Sequence, residues 1–179
     1  MDSILNIKKI LGAMLGMLPV LAILALFQWW AVSSREREWW WFNGGPDHMA
    51  YADLHMAAQG KGHILIVERK SDEAPQTEFA VQWDCHKGQI AWGEAWTRDE
   101  NFDQMDRSPA PADLRELHPP KNPMEVQFVE LACKQGKALP QTFQLTKDQS
   151  PLELTKVAFD EVARGVQPHV ALRRARNAK

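Results

Sequence analysis

The stretch EFAVQWDCHKGQIAW, at residues 78–92, decides the fold of this 179-residue chain. Its first half places apolar side chains at every second position, which is the period of a β-strand with one face in a core. The side chains on that face are Phe79, Val81, Trp83 and Cys85. The pattern therefore predicts a strand whose cysteine points into the core with its apolar neighbours.

A hairpin is predicted directly after this strand. His86-Lys87-Gly88 has the length and the glycine that are typical of a hairpin loop. Ile90, Trp92 and Trp96 then occupy alternate positions, so they are predicted to share one face of the partner strand. Glu94 falls on the same face, which an edge position would accommodate. Trp92 and Trp96 are candidates for a ligand-binding face, although packing in the core of a small sheet is the simpler interpretation.

Three earlier segments are also predicted to be strands of an antiparallel sheet. They are residues 39–42, 49–53 and 63–68. Asn43-Gly44-Gly45-Pro46 separates the first two with residues that favour tight turns. The aromatic run at 39–42 also fits an interfacial belt at a membrane surface, and the sequence leaves both interpretations open.

Residues that favour the N-terminus of a helix begin at residue 122. Asn122, Pro123 and Glu125 supply an N-cap, a proline at the first helical position and an acid for a capping box. Gly136 is a suitable C-cap. This segment is predicted to be a helix that covers the sheet, with a strand as the alternative because residues 124–128 also alternate.

The same chemistry recurs at Ser150-Pro151-Leu152-Glu153, which predicts a second helix to Arg164, closed by Gly165. The intervening residues 98–123 and 137–149 are predicted to be connectors.

From Gln167 onward the chain carries basic residues and no acid. The basic residues are Arg173, Arg174, Arg176 and Lys179. Such a segment is typical of a solvated tail or of one that binds an acidic partner or anionic lipid headgroups.

A membrane anchor is predicted at residues 10–32, which contain no charged side chain. As a helix this segment reaches roughly 34 Å, enough to cross a hydrocarbon core of about 30 Å. Lys8 and Lys9 precede it, and the positive-inside rule places them in the cytoplasm. Trp29 and Trp30 end it, where an interfacial aromatic belt lies. The prediction is a single-pass protein of a bacterial inner membrane, with its C-terminal domain in the periplasm.

Two alternatives account for this segment less well. A cleavable signal peptide has a shorter apolar region, and the plausible cleavage site, Ala31-Val32-Ser33, follows two bulky tryptophans. A buried core helix would be apolar on one face rather than all round. Gly12 and Gly16 have the small-xxx-small spacing of packed membrane helices, so they form a candidate helix-packing site.

The chain has two cysteines, Cys85 and Cys133, and their spacing matches no metal-binding pattern. In an extracytoplasmic domain a disulfide between them is expected. The bond would close a loop of 48 residues and stabilise the fold by about 4 kcal/mol. Two unpaired thiols in a cytoplasmic domain are the alternative.

An ordered set of residues extends from Trp41 to Cys133. Its members are Trp41, Tyr51, Asp53, Gly62 to Val67, Trp83-Asp84-Cys85 and Cys133. This region, about half of the chain, resembles the surface-adhesin protein E family. The resemblance implies a small α+β domain with an antiparallel sheet, a covering helix and one disulfide, and it carries over two residues, Cys85 and Cys133. The adhesin is a surface lipoprotein, whereas this chain has no cysteine near its N-terminus to acylate, so the resemblance implies a scaffold and a compartment rather than adhesion.

Catalytic and metal sites are not predicted. Six histidines are scattered without a metal-ligand spacing, and no serine-hydrolase, phosphate-binding or dinucleotide-binding motif occurs. Asp47-His48 and Asp53-x-His55 bring ligand types together, but hydrogen-bonded histidines are the simpler interpretation. A net charge of -2 gives no reason to expect nucleic acid as a partner. The sequence predicts a protein that is not an enzyme and has no cofactor.

The predicted organisation has three parts: the N-terminus, anchor and stalk at residues 1–38, a disulfide-closed domain at 39–136, and a linker, C-terminal helix and basic tail at 137–179. The predicted fold class is α+β, with a transmembrane helix before a small antiparallel sheet. The predicted function is a non-enzymatic, membrane-anchored periplasmic interaction domain that binds a protein or a cell-envelope component, through residues that the sequence does not identify. An accessory subunit of a larger membrane complex and an exported adhesin are the alternatives.

Overall fold

The computed structural model describes residues 37–69, 75–98, 105–134 and 139–178. These residues belong to one compact unit that begins at Arg37. The predicted membrane segment at residues 10–32 lies outside them. Within those four ranges, no helix has the length and apolar character that crossing a bilayer needs.

Seven strands of the described residues make one antiparallel sheet. They are β1 (Trp39–Gly44), β2 (His48–Asp53), β3 (Lys61–Glu68), β4 (Gln76–Asp84), β5 (Gln89–Arg98), β6 (Met105–Pro109) and β7 (Phe143–Gln144). Their order across the sheet is β6-β5-β4-β3-β2-β1-β7. The α+β class and the five predicted strands, now β1 to β5, are confirmed with small shifts at their ends.

Three α-helices accompany the sheet in the described residues. They are α1 (Pro123–Cys133), α2 (Pro151–Ala163) and α3 (Pro168–Asn177). Asn122 caps α1 as predicted, because its side-chain oxygen accepts from the backbone N–H of Glu125 at 2.9 Å. The Glu125 carboxylate does not close the predicted capping box on Asn122. It is buried and accepts from the backbone N–H of Lys121 and from the indole N–H of Trp92.

One face of the sheet is covered by α1 across five strands. Phe128 of α1 is fully buried and meets the rings of Phe42 and Trp83 edge-on. Ala50 and Ala52 of β2 lie beneath the same cluster. Their small side chains leave room for the aromatic rings, which is why the middle of the sheet tolerates a helix packed this closely.

The opposite face is covered by α2 and α3, but only in part. The apolar cluster there draws on β7, β1, β2 and β3, and none of its described members comes from β4, β5 or β6. Tyr51 is fully buried, and its hydroxyl lies 2.6 Å from the hydroxyl of Thr155 in α2. Burial also raises the pKa of Tyr51, so this hydroxyl stays protonated and holds α2 to the sheet.

A bulge in β5 changes which face its second half presents. Val81 pairs with Trp92, but Phe79 pairs with Ala95, so β5 has one more residue than β4 between these two pairs. Trp92 therefore lies on the α1 face, whereas Trp96 lies opposite Glu78 on the other face. The prediction that Trp92 and Trp96 share a face is wrong, because strict alternation does not survive an inserted residue.

The predicted disulfide is present. The sulfurs of Cys85 and Cys133 are 2.13 Å apart, with their Cα atoms 5.4 Å apart. The predicted orientation of Cys85 is wrong, because the side chain is exposed. The strand ends one residue earlier, at Asp84, whose carboxylate accepts from the backbone N–H groups of His86 and Lys87 and so starts the turn.

Three segments predicted to lack regular structure have it. The connectors at 98–123 and 137–149 contain β6 and β7, and the basic segment from Gln167 forms α3. Ala171, Leu172 and Ala175 of α3 are buried, so this segment is not a solvated tail. Because β7 joins the sheet and α2 and α3 cover it, residue 136 does not end the compact unit.

Replacing both cysteines with serine, Cys85→Ser and Cys133→Ser, is expected to lower the free energy of unfolding by about 4 kcal/mol. The bond joins residues 48 positions apart and so restricts the unfolded chain. Urea unfolding of the full-length protein in non-ionic detergent measures this loss. The reduced wild-type protein is the matched control, since it should lose a similar amount. An unchanged urea midpoint in the double variant would show that the bond contributes nothing.

Candidate functional site

The half of the sheet face that α2 and α3 leave uncovered holds the candidate site. Cross-strand pairing places Leu65, Glu78 and Trp96 in one row across β3, β4 and β5. Leu65 belongs to the apolar cluster under α2 and α3. The row therefore runs from the covered half of the face to the uncovered half. The apolar cluster ends at Leu65, and Glu78 is the first residue beyond it.

A cavity of about 480 Å³ opens on this uncovered half, and we call it the large cavity. Its size lies within the range of small-molecule sites, roughly 300–1,000 Å³. Its lining combines small apolar residues with a few charged groups. The lining residues are Met56, Lys61, Gly62, His63, Ala80, Val81, Gln82, Ala91, Trp92, Gly93, Glu94, Pro109, Ala110 and Arg115.

The bulge in β5 shapes the floor of the large cavity. Gly93 and Glu94 together oppose Ala80, as the pairs on either side of them show. A Cβ atom at Gly93 would lie 3.2 Å from both the Cβ and the carbonyl oxygen of Ala80. Glycine therefore allows the two backbones to approach here. Glu94, next to it, is turned to the sheet edge, where it pairs with Arg107 of β6.

A buried carboxylate lies beside the large cavity, between the Arg37 guanidinium and the His63 imidazole. The side chain of Glu78 is only 10% exposed. Its Oε1 atom lies 2.8 Å from a guanidinium nitrogen of Arg37 and 3.0 Å from Nδ1 of His63. The His63 contact lies off the direction in which a ring N–H would point, so it is a close polar contact rather than a straight hydrogen bond.

These two neighbours control the charge of Glu78. Burial raises the pKa of Glu78, but the contacts with His63 and Arg37 outweigh burial and hold the pKa at about 2, below its ordinary value of 4.5. The carboxylate is therefore ionised at neutral pH. His63 places Nδ1 close to Glu78 and also lines the large cavity, so its ring links the carboxylate to that cavity.

Aromatic rings complete this cluster. The ring of Trp96 meets the ring of His63 edge-on, with centroids 6.0 Å apart. The Arg37 guanidinium lies 5.4 Å from the centre of the Trp39 ring, within reach of a cation–π interaction. Trp96 and Trp39 thus flank the contacts of Glu78, and His63 is the member of this cluster that lines the large cavity.

The other predicted candidates are not brought together. His48 pairs with Asp47 at 2.8 Å, and His55 with the buried Asp53 at 2.9 Å. Each pair is local, and the described residues contain no group of three or more side chains suited to a metal ion. Trp92 packs under α1 with its indole N–H on Glu125, so it is part of the core.

The membrane-related candidates fall outside the described residues. They are the interface residues Trp29 and Trp30 and the helix-packing residues Gly12 and Gly16.

The sequence patterns do not predict that Arg37, His63 and Glu78 lie together. They are 15 or more positions apart in the sequence, and only the pairing of β3 with β4 brings His63 and Glu78 onto neighbouring strands. One signal in the sequence could have found Glu78. The alternation in β4 places Glu78 on the face opposite Phe79 and Val81, so a carboxylate on the second face of the sheet was predictable.

Comparisons with known proteins assign neither a family nor a function to this chain. The chain matches no protein-family model, curated protein or solved structure. The resemblance to the surface-adhesin protein E family therefore stays a prediction from the sequence.

Protonation of Glu78 is expected to destabilise the fold in acid. Its pKa is 4.5 without its partners and about 2 in the folded protein, so its contribution is complete above pH 4.5 and is lost as the pH falls from 4.5 toward 2. The loss approaches about 3 kcal/mol across that window. Urea unfolding at pH 7 and at pH 3 measures it.

Glu78→Gln should remove this part of the pH dependence, so that the difference in stability between variant and wild type narrows from pH 7 to pH 3. Glu94→Gln is the matched control, because Glu94 is about half exposed and its surface ion pair contributes little. A difference between wild type and Glu78→Gln that stays constant with pH would contradict the assignment.

Proposed function

We propose that this protein is a non-enzymatic interaction domain, anchored in a bacterial inner membrane by residues 10–32, that binds a periplasmic or cell-envelope ligand in the large cavity. The observation that carries the proposal is the uncovered half of one sheet face. An antiparallel sheet can leave one face in solvent, but here a cavity of about 480 Å³ opens on that face. A concave space of this size, lined by small apolar residues and a few polar groups, is typical of a binding site.

The chemistry of the large cavity supports binding of a partly apolar ligand. Its floor is made of small side chains such as Ala80 and Ala91, while Lys61 and Gln82 stand exposed at its mouth. Small apolar residues admit the body of a ligand, and the few polar groups fix its orientation. The charges of Glu78 and Glu94 are already paired with those of Arg37 and Arg107, which suits a preformed site.

The disulfide supports the proposed compartment. Bonds such as Cys85–Cys133 persist in oxidising compartments and are rare in the cytoplasm. Together with the apolar segment at residues 10–32 and the lysines before it, this favours a domain on the periplasmic side.

The compartment is tested by intact-mass analysis of the protein extracted from membranes, with thiols alkylated before and after reduction. A full-length mass, with two thiols that react only after reduction, is expected. Loss of roughly the first 33 residues would instead indicate signal-peptide cleavage and favour the exported adhesin. Two thiols that react before reduction would place the domain in the cytoplasm and overturn the proposal.

Binding in the large cavity is tested by photo-crosslinking in intact cells. A photoreactive side chain at Lys61, at the cavity mouth, is expected to give a discrete crosslinked product. The same group at Val126, which is half exposed on α1 across the sheet, is the control and should give none. Gln82→Trp should suppress the Lys61 product, because an exposed strand position tolerates an indole that can fill the cavity.

Equal products from Lys61 and Val126, or a Lys61 product that survives Gln82→Trp, would show that the large cavity is not the binding site. Crosslinks that form only from the Gly12 and Gly16 positions would favour the accessory-subunit alternative.

A further inference from the structure

A second, smaller pocket lies on the same sheet face, on the α2 side of Glu78. Its volume is about 180 Å³, too small for a whole ligand of ordinary size but sufficient for one functional group with a short stem. Its lining includes Arg37, Trp39, Gln76, Glu78, Trp96 and Ser150. We call it the α2 pocket, because Ser150 and Pro151 begin that helix.

Gln76 is the first sign that the α2 pocket is built for a ligand. The residue is only 7% exposed, and its amide nitrogen has no hydrogen-bond partner. An unpaired buried donor costs free energy, and native proteins seldom leave one without a reason. The donor lines the pocket, so an acceptor atom placed there would satisfy it.

The start of α2 is a second, independent sign. Ser150 is the N-cap of this 13-residue helix, yet its side chain makes no capping hydrogen bond. The N-terminus of a helix carries a partial positive charge that favours acceptors and anions. Glu153 in the first turn offsets part of this charge but is itself exposed. Pro151, at the first position of α2, has no N–H, so the donor groups on this side belong to Ser150. Ser150 and Gln76 line the same small space.

The carboxylate already in the α2 pocket does not repel a single negative charge strongly. Glu78 is neutralised by Arg37 at 2.8 Å and faces His63 at 3.0 Å. The Arg37 side chain is 44% exposed, so it can shift toward a second anion. A doubly charged phosphate would still face Glu78 across a narrow space, whereas a carboxylate adds one charge with two acceptor oxygens.

We propose that the α2 pocket binds one carboxylate group, held by the Gln76 amide and by Ser150 at the N-terminus of α2, with the attached carbon chain between Trp39 and Trp96. This site is separate from the large cavity and goes beyond the proposed function. The carboxylate belongs either to a free aliphatic acid or to the C-terminus of a peptide. Both present the same oxygens and a neighbouring apolar group.

The experiment follows the side-chain amide resonances of Gln76 by NMR in the full-length protein, labelled on glutamine nitrogen, in non-ionic detergent. The Gln76→Leu variant assigns the signal by its loss. Butyrate is expected to shift it saturably, and butyramide, which lacks the charge, to shift it little. A short peptide with a free C-terminus and its amidated form distinguish the two sources. Stronger binding of butyrate indicates a free acid, and stronger binding of the free-ended peptide indicates a chain terminus.

Two variants and one control test the assignment of the donors. Ser150→Asp is expected to weaken butyrate binding roughly tenfold or more, because its own carboxylate occupies the helix N-terminus. It should not lower the thermal stability, since aspartate and serine are about equally favourable N-caps, so a loss of binding cannot be attributed to misfolding. Gln76→Glu should weaken binding similarly, whereas Gln82→Glu, the same change on the same strand in the large cavity, should not.

Three results would overturn the proposal. These are the absence of a saturable shift with butyrate and with the free-ended peptide, equal shifts with butyrate and butyramide, and unchanged affinity in Ser150→Asp. None of them bears on the Lys61 crosslink, so the α2 pocket and the large cavity succeed or fail separately. Gln76→Glu lacks the reporting amide, so in this variant and in Gln82→Glu butyrate is followed by the Trp96 indole signal, in protein labelled on the tryptophan indole nitrogen.

Discussion

The extra residue in β5 is the constraint on which the uncovered sheet face depends. Between the Val81–Trp92 and Phe79–Ala95 pairs, Gly93 and Glu94 stand against Ala80 alone. This insertion reverses the alternation of side chains in the second half of β5. Trp92 therefore packs under α1, while Trp96 lies beside Glu78 on the opposite face. Without it, Trp96 would point to the α1 face, and Glu78 would lack the ring that helps to bury it. Bulges commonly re-aim side chains next to functional sites, and Gly93 is suited to this one because a Cβ there would crowd Ala80.

The two faces of the sheet differ because their helices are fixed at different places. The disulfide ties the end of α1 to the turn after β4, so α1 lies across the middle strands. In contrast, α2 is fixed by the Tyr51–Thr155 hydroxyl contact at β2, and α3 packs beside it over β1 and β7. The layer of α2 and α3 therefore ends before β4. The uncovered half follows from where these contacts lie, and it does not require an additional helix to be missing.

Much of this fold was predictable from local chemistry, and the failures have physical causes. Period-two alternation located β4 and β5, turn residues with aromatic and β-branched runs located β1 to β3, cap residues located α1 and α2, and the cysteine count gave the disulfide. β6 was missed because its described side chains are exposed and, apart from Pro109, polar, and β7 because two residues carry no period. α3 was missed because only Ala171, Leu172 and Ala175 form its apolar stripe, which arginines obscure. The bulge was missed because alternation assumes that every residue has one partner, and the Glu78 cluster because it depends on strand pairing.

The cluster formed by Arg37, Glu78 and His63 is more informative about function than about stability. Replacing a buried ion pair with well-packed apolar residues is often neutral or stabilising, so stability alone does not require a carboxylate in this position. An apolar cluster would close the sheet face equally well. It would give His63, which lines the large cavity, no polar contact, and it would leave no guanidinium able to respond to a charge in the α2 pocket. The cost of burying Glu78 is therefore most simply explained by these two neighbouring spaces, because Glu78 itself lines the α2 pocket and its neighbour His63 lines the large cavity.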